Sequence, residues 1–144
     1  FIKLDFFGRK IVFVNAFAAN DPVSSKYLWD LAIETFPKLK KRIALFNCRK
    51  DRMDRSIQLG SAIAGWQDAD HYVLMGTGTL SFAKSATKTE LNPLKIVMAE
   101  EKSVEDIFEL LVELAGESAL IVGMGNIGGS GLELVRYFNN RSII

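Results

Sequence analysis

The chain has 144 residues, of which 49% are hydrophobic and 24% are charged, and its formal net charge is +1. This balance predicts a soluble domain with a hydrophobic core, and it excludes a disordered chain and a strongly basic surface, so we expect no nucleic-acid partner. A single cysteine and a single histidine exclude an internal disulfide and a histidine-rich zinc site, and they favour a reducing compartment.

The amino-terminal part predicts a strand pair and a helix. Two alternating apolar runs, residues 1–7 and 11–17, flank a glycine turn and indicate two strands. The Asn20-Asp21-Pro22 sequence then indicates the end of a strand and the cap of a helix. That helix is predicted to run for about three turns to Pro37, with its apolar residues recurring between Leu28 and Thr35.

The rest of the chain predicts strands that alternate with helices. Strands are expected over residues 43–46, 71–75, 94–99 and 119–122, and helices near residues 56–64, 80–86, 104–114 and 132–138. The helix near 56–64 is expected to bury Ile57, Ala62 and Ile63, and Ser103-Val104-Glu105-Asp106 matches a capping box. Because the strands are short continuous apolar runs, the pattern predicts a single α/β domain over residues 1–144, a three-layer Rossmann-like fold with a mostly parallel sheet and an antiparallel amino-terminal strand.

Four polar or glycine-rich turns follow the predicted strands. Ligands of open parallel sheets bind at the carboxyl ends of the strands, so any functional site is expected at this edge. The turns comprise residues 15–22, 47–55, 76–79 and 123–131. The opposite connections, such as residues 38–42, are ordinary polar loops.

The densest of these turns is Asn47-Cys48-Arg49-Lys50-Asp51-Arg52-Met53-Asp54-Arg55, which carries four basic and two acidic side chains. One interpretation is a solvated turn between a strand and a helix. The other is an anion site, in which alternating charges fix one another and present surplus guanidinium groups to a ligand. Both interpretations fit the residues.

The last turn contains Gly123-Met124-Gly125-Asn126-Ile127-Gly128, which spells G-x-G-x-x-G after a predicted strand. A dinucleotide site also needs an acidic residue on a second strand, and only one predicted helix follows, so we expect no standard NAD or FAD site. The glycines either let backbone N–H groups approach an anion or serve only a tight turn. The sequence contains no P-loop pattern and no convincing catalytic serine, histidine and acid set.

Three of the turns resemble one family in their order and spacing. Asn15 to Asp21, Asn47-Cys48-Arg49 with the charged residues behind it, and Gly123 to Ile127 resemble the C-terminal part of the poly-gamma-glutamate synthase ligase subunit (PgsB/CapB type), a relative of the Mur ligases. Two departures are Gly128, where histidine is expected, and residues 77–93, which have no recognisable counterpart.

The resemblance implies an ATP-dependent amide ligase of capsule and poly-gamma-glutamate biosynthesis, in which an acyl phosphate is attacked by the amino group of an incoming glutamate. ATP and Mg would be bound mainly by an upstream central domain of the same enzyme. We therefore expect this chain to be a fragment, with no catalytic or metal-binding residues of its own, that is inactive alone. Glutamate or its polymer would be the substrate, and membrane subunits of a synthase complex would hold the enzyme at the cytoplasmic side.

The resemblance also implies site residues. The nucleotide would be contacted by Asn15, Asn20 and Asp21. The substrate would be contacted by Asn47, Arg49, Asp51, Arg52, Asp54, Arg55, Gly125 and Asn126. In this assignment the arginines bind glutamate carboxylates, and the two aspartates orient them or bind the ammonium group. A different class of function stays open, namely a non-catalytic nucleotide- or anion-binding regulatory domain or an assembly domain.

Overall fold

The computed structural model describes residues 1–143, and within them a sheet of six strands lies between two layers of helices. The strands are β1 (Ile2–Phe6), β2 (Arg9–Asn15), β3 (Lys41–Cys48), β4 (His71–Gly76), β5 (Ile96–Glu100) and β6 (Ser118–Gly125). The α-helices are α1 (Pro22–Thr35), α2 (Met53–Ala62), α3 (Thr79–Lys88), α4 (Val104–Ala115) and α5 (Ser130–Asn139).

The strand order is β1-β2-β6-β3-β4-β5, and only the β1–β2 pair is antiparallel. The predicted fold class is therefore confirmed, including the antiparallel amino-terminal strand. Strand β6 inserts between β2 and β3, where its Gly123 lies opposite Asn15 and its Gly125 lies opposite Asn47. This register brings the ends of three strands, and the polar turns after them, side by side.

Two hydrophobic cores cover the two faces of the sheet. One face packs against α1, α2 and α3 through buried residues such as Trp29, Leu59 and Phe82. The other packs against α4 and α5, where Phe138 stacks on Phe13 of β2 with ring centroids 4.3 Å apart. Helices cover both faces because βαβ crossovers place them there, which explains why the strands are continuous apolar runs in the sequence.

Side-chain caps begin two of the helices where the sequence predicts them. The Asp21 carboxylate accepts from the Ser24 N–H at 2.9 Å, and Pro22 follows in the first turn of α1. The Ser103 hydroxyl accepts from the Asp106 N–H at 3.1 Å at the start of α4. Each cap satisfies one of the N–H groups that a helix leaves unpaired at its amino end.

The structure corrects several predicted boundaries and faces. β3 extends through Cys48, and β6 through Gly125, so the polar turns begin later than predicted. The charged stretch folds as a 3₁₀ turn, Lys50–Arg52, followed directly by α2, so the helix begins well before residue 56. Within α2 the prediction that Ile57 is buried is wrong: it is 44% exposed, while Leu59 faces the core. Sequence periodicity failed here because α2 is short and lies among charged residues.

Candidate functional site

The polar turns meet where the helices that follow two neighbouring strands depart to opposite faces of the sheet. After β3 the chain continues into α2 on one face, and after β6 it continues into α5 on the other. Such a switch point leaves a crevice outside the carboxyl ends of the two strands. We call this crevice, between the ends of β3 and β6, the β3–β6 cleft.

Asn47 joins the two strands at the base of this cleft. Its buried amide Nδ2 donates to the carbonyl oxygens of Asn126 at 2.6 Å and Gly128 at 3.1 Å. In return, the Asn126 N–H donates to the Asn47 carbonyl at 2.9 Å. The Asn126 side chain then accepts from the Gly128 N–H at 2.8 Å, which closes a local turn. Asn47 therefore shapes the whole Gly125–Gly128 segment.

The glycines of the G-x-G-x-x-G pattern have packing roles. A Cβ on Gly123 would lie 2.6 Å from the Phe17 ring, and one on Gly125 would lie 2.6 Å from the Asn47 carbonyl oxygen. Gly125 also has φ +92°, which side-chain-bearing residues rarely adopt. Both residues are buried in β6, so the predicted turn at these two positions is wrong, and close packing explains the glycines.

Arg49 is held by Asp51 at the mouth of the cleft. Its Nε and Nη2 donate to the two carboxylate oxygens of Asp51 at 3.0 and 2.7 Å. The pKa of Asp51 lies below its ordinary value, chiefly because of this hydrogen bond from Arg49. A guanidinium group has five N–H donors, so the edge formed by Nη1 and Nη2 keeps donors for a second anion. The role of Asp51 in orienting Arg49 toward a substrate stays a prediction.

The β3–β6 cleft gathers most of the sequence-predicted site residues. Its predicted members are Asn20, Asn47, Arg49, Arg52, Arg55, Gly125 and Asn126. Its apolar floor contains Phe46, Leu59 and Phe82. Among residues 1–143, neither Arg52 nor Arg55 forms an ion pair, so both guanidinium groups keep their hydrogen-bond donors for a ligand.

Three predicted site residues lie apart from this constellation. Asn15 is exposed at the end of β2, where its Oδ1 accepts from the Phe17 N–H at 3.3 Å. Asp21 is committed to capping α1, and the Ser24 N–H holds the pKa of its carboxyl below the ordinary value. Asp54 is exposed in the first turn of α2 and, within the described residues, pairs with no arginine.

Residues without a predicted functional role also lie in or beside the β3–β6 cleft. Cys48 and Ser56 line the β3–β6 cleft, and burial raises the pKa of the Cys48 thiol to about 11. Thr77 lines an adjoining cavity together with Arg49 and the Gly128–Ser130 segment. The position of Gly76–Thr79 at the carboxyl edge was the available sequence signal, but nothing in the pattern indicated which of its atoms face Arg49.

Within residues 1–143 the site has no ready-made cluster of metal ligands. Between residues 1 and 143 no three His, Cys, Asp or Glu side chains come together in a way that could hold a metal ion. Two carboxylates of the predicted site already have partners, since Asp51 binds Arg49 and Asp21 caps α1. In the same part of the chain, no helix combines the length and apolar character that crossing a bilayer requires.

The fold is that of a Rossmann-like α/β domain, and solved structures of two ligases share it. A murein peptide ligase, Mpl, from Psychrobacter arcticus 273-4 is similar with a TM-score of 0.57 at 21% identity, covering 99% of this chain and 30% of that one. A UDP-N-acetylmuramoylalanyl-D-glutamyl-2,6-diaminopimelate--D-alanyl-D-alanyl ligase from Acinetobacter baumannii gives 0.52 at 14% identity, covering 93% and 28%. At these identities the likeness concerns the fold alone.

Residues 1–141 match the family described as the poly-gamma-glutamate synthase CapB C-terminal domain, and the chain belongs to that family. It is 32% identical over 123 residues to the PGA synthase CapB of Bacillus subtilis (strain 168), covering 85% of this chain and 31% of that protein. It is 27% identical over 128 residues to the capsule biosynthesis protein CapB of Bacillus anthracis, covering 89% and 27%. The chain thus spans less than a third of the length of these two relatives.

Proposed function

We propose that this chain is the part of an ATP-dependent amide ligase that positions an incoming glutamate, and that the β3–β6 cleft binds the glutamate carboxylates. The observation that carries the proposal is the convergence of Arg49, Arg52 and Arg55 on one cleft. Arginine suits this task because its planar guanidinium group offers two parallel hydrogen bonds to a carboxylate. The family, whose relatives include a PGA synthase, supports glutamate as the substrate.

The three arginines differ in their partners, because Arg49 is paired with Asp51 and the other two form no ion pair among residues 1–143. This difference supports a division of roles. Arg49 is already oriented by Asp51 and offers its remaining Nη1 and Nη2 edge in a fixed direction. Arg52 and Arg55 lie three positions apart at the start of α2 and form no ion pair among residues 1–143. A substrate with two carboxylates fits this arrangement better than one with a single carboxylate, because neither Arg52 nor Arg55 forms an ion pair among residues 1–143.

For the nucleotide, the structure supports a narrower proposal than the resemblance implies. Asn20 lines the β3–β6 cleft and Asn15 lies exposed at the same sheet edge, so their amides are available to a bound nucleotide. Asp21 is a poor candidate because its carboxylate is occupied as a helix cap and would repel phosphate. We assign no magnesium ligand to this chain and leave the phosphate chemistry to another domain of the ligase.

The proposed whole enzyme contains an upstream ATP-binding domain, and this chain alone is expected neither to hydrolyse ATP nor to ligate glutamate. Robust ATP turnover by the pure 144-residue protein would contradict this part of the proposal. Association with membrane subunits belongs to the same proposal and concerns other parts of the complex.

The substrate assignment is tested by replacing Arg52 and Arg55 with alanine in the full-length ligase. Each loss should raise the KM for glutamate by about 10- to 100-fold, the range for a hydrogen bond to a charged group, with smaller changes in the KM for ATP. Arg42→Ala is the matched control because Arg42 lies at the opposite end of β3. An unchanged KM, together with failed assembly of the Arg52→Glu variant into its complex, would favour the alternative function of an assembly domain.

A further inference from the structure

We propose that the turn between β4 and α3, Gly76–Thr79, is a positioning element for Arg49 and that Thr77 is its central residue. This inference rests on the proposed function, because it concerns how Arg49 is fixed for its carboxylate. The turn belongs to the segment for which the sequence resemblance offers no counterpart. Its contacts with the β3 end give it a role.

Thr77 binds the backbone on both sides of Arg49. Its N–H donates to the Cys48 carbonyl at 3.0 Å, and its Oγ1 accepts from the Lys50 N–H at 3.0 Å. Cys48 and Lys50 are the residues immediately before and after Arg49. A single threonine therefore fixes the path of the main chain from which the Arg49 side chain projects.

The glycines that flank Thr77 allow this close approach. A Cβ on Gly76 would lie 2.2 Å from the Cys48 carbonyl oxygen, and one on Gly78 would lie 2.9 Å from the Lys50 Cα. Both glycines also have positive φ angles, +89° and +69°. Any larger residue would push the turn away from the β3 end, so the turn is built to contact the backbone around Arg49 directly.

The turn is itself anchored to β5. The Glu100 carboxylate accepts from the Thr79 N–H at 2.9 Å and from the Thr79 hydroxyl at 3.1 Å. The Glu101 N–H donates to the Gly76 carbonyl at 2.9 Å. Hydrogen bonds thus connect the end of the edge strand β5 to the Gly76–Thr79 turn, and connect this turn to the backbone on either side of Arg49.

Arg49 needs support at both ends because a long, partly exposed side chain loses much rotamer freedom when it is fixed. Its side chain is 43% exposed, and it precedes a 3₁₀ turn that lacks a side-chain cap. Asp51 holds the guanidinium group, and Thr77 holds the backbone. With both ends fixed before the substrate arrives, less ordering remains to be done on binding.

The test compares Thr77→Val with Thr77→Ser in the full-length ligase, each alone and combined with Arg49→Lys. Thr77→Val removes the acceptor for the Lys50 N–H, and we expect a KM for glutamate about two- to tenfold higher, the range for one lost hydrogen bond, with little change in kcat. Thr77→Ser keeps the hydroxyl, so its KM for glutamate should equal that of the wild-type enzyme. Thr87→Val on α3 is the matched control, because the Thr87 hydroxyl donates to the Ala83 and Lys84 carbonyls of its own helix.

The double variant distinguishes positioning from general support of the fold. If Thr77 acts through Arg49, the effect of Thr77→Val should shrink when Arg49 is already lysine, because coupled residues are not additive. An equal effect in both backgrounds, or a lower thermal stability with no change in KM, would overturn the inference. If Arg49→Lys alone leaves the KM unchanged, the proposed function fails at Arg49, and the inference fails with it.

Discussion

Asn47 and Asn126 hold each other across two neighbouring strands: the Asn47 amide donates to the Asn126 carbonyl at 2.6 Å, and the Asn126 N–H donates to the Asn47 carbonyl at 2.9 Å. This reciprocal contact ties the end of β3 to the end of β6. The residues that follow Asn47 include Arg49, Arg52 and Arg55, and Gly125 and Asn126 line the same cleft from β6. The geometry of the cleft therefore depends on this pair.

Replacing Asn47 with alanine should destabilise the protein by about 1–3 kcal/mol, the cost of leaving buried hydrogen-bonding groups without partners. Asn47 is only 5% exposed, so water cannot easily replace its amide. Denaturant unfolding of the 144-residue protein measures the change. Asn15→Ala is the control, because Asn15 is exposed, and its loss should change the free energy of unfolding by much less.

Gly125→Ala should be more damaging, with a loss of about 2–5 kcal/mol from combined backbone strain and a steric clash. The added methyl group would meet the Asn47 carbonyl oxygen at 2.6 Å while the backbone stays at φ +92°. Gly65→Ala is a suitable comparison, since no atom lies within 4 Å of its added Cβ. Thermal unfolding of both variants gives the contrast, and equal stability of the two would contradict this account of the glycine pattern.

The order of elements and the sheet class could be predicted because they depend on local signals. Continuous apolar strands, the Asp21 cap and the Ser103 capping box are read from neighbouring residues. The buried face of α2 could not be predicted in this way. Its buried Gly60 packs against α3, where an added Cβ would lie 2.6 Å from the Phe82 carbonyl oxygen, and only the tertiary fold brings that partner close.

The candidate site was predicted in outline for a similar reason. The carboxyl ends of the predicted strands indicate the edge of the sheet at which the site lies. This prediction places Asn47, Arg49 and Asn126 in one region. Their pairing depends on β6 inserting between β2 and β3, a long-range choice that no local pattern contains. The same limit applies to Thr77, whose partners Cys48 and Lys50 come from a different turn.

Cys48 should react slowly with thiol reagents in the folded protein. Burial raises the pKa of its thiol from 9.0 to about 11, which lowers the fraction of reactive thiolate near pH 8 by about a hundredfold. Burial also restricts access of the reagent, so both effects act in the same direction. Rates measured with a chromogenic disulfide reagent in buffer and in denaturant should differ by at least this factor. Comparable rates would show that the β3 end opens readily.

Asp51→Asn separates two possible effects of the Arg49–Asp51 pair on substrate binding. If Asp51 orients Arg49, as we propose, its loss should raise the KM for glutamate in the full-length ligase. If Asp51 instead competes with the substrate carboxylate, its loss should lower that KM. Arg49→Lys in the same background tests whether the change passes through the guanidinium group, because lysine cannot reproduce the paired contact.

The pH dependence of the same pair follows from the direction of the Asp51 pKa. Because the hydrogen bond from Arg49 holds this pKa below its ordinary value, Asp51 stays ionised to a lower pH than an unpaired aspartate would. Its contribution to stability is present above the unfolded-state pKa and is lost as the pH falls through the lower folded-state pKa. The Arg49 Nε–H signal in an NMR titration should therefore remain protected until that lower pH. Asp51→Asn should lose the protection at every pH, and an unaltered signal in that variant would show that Asp51 does not hold Arg49 in solution.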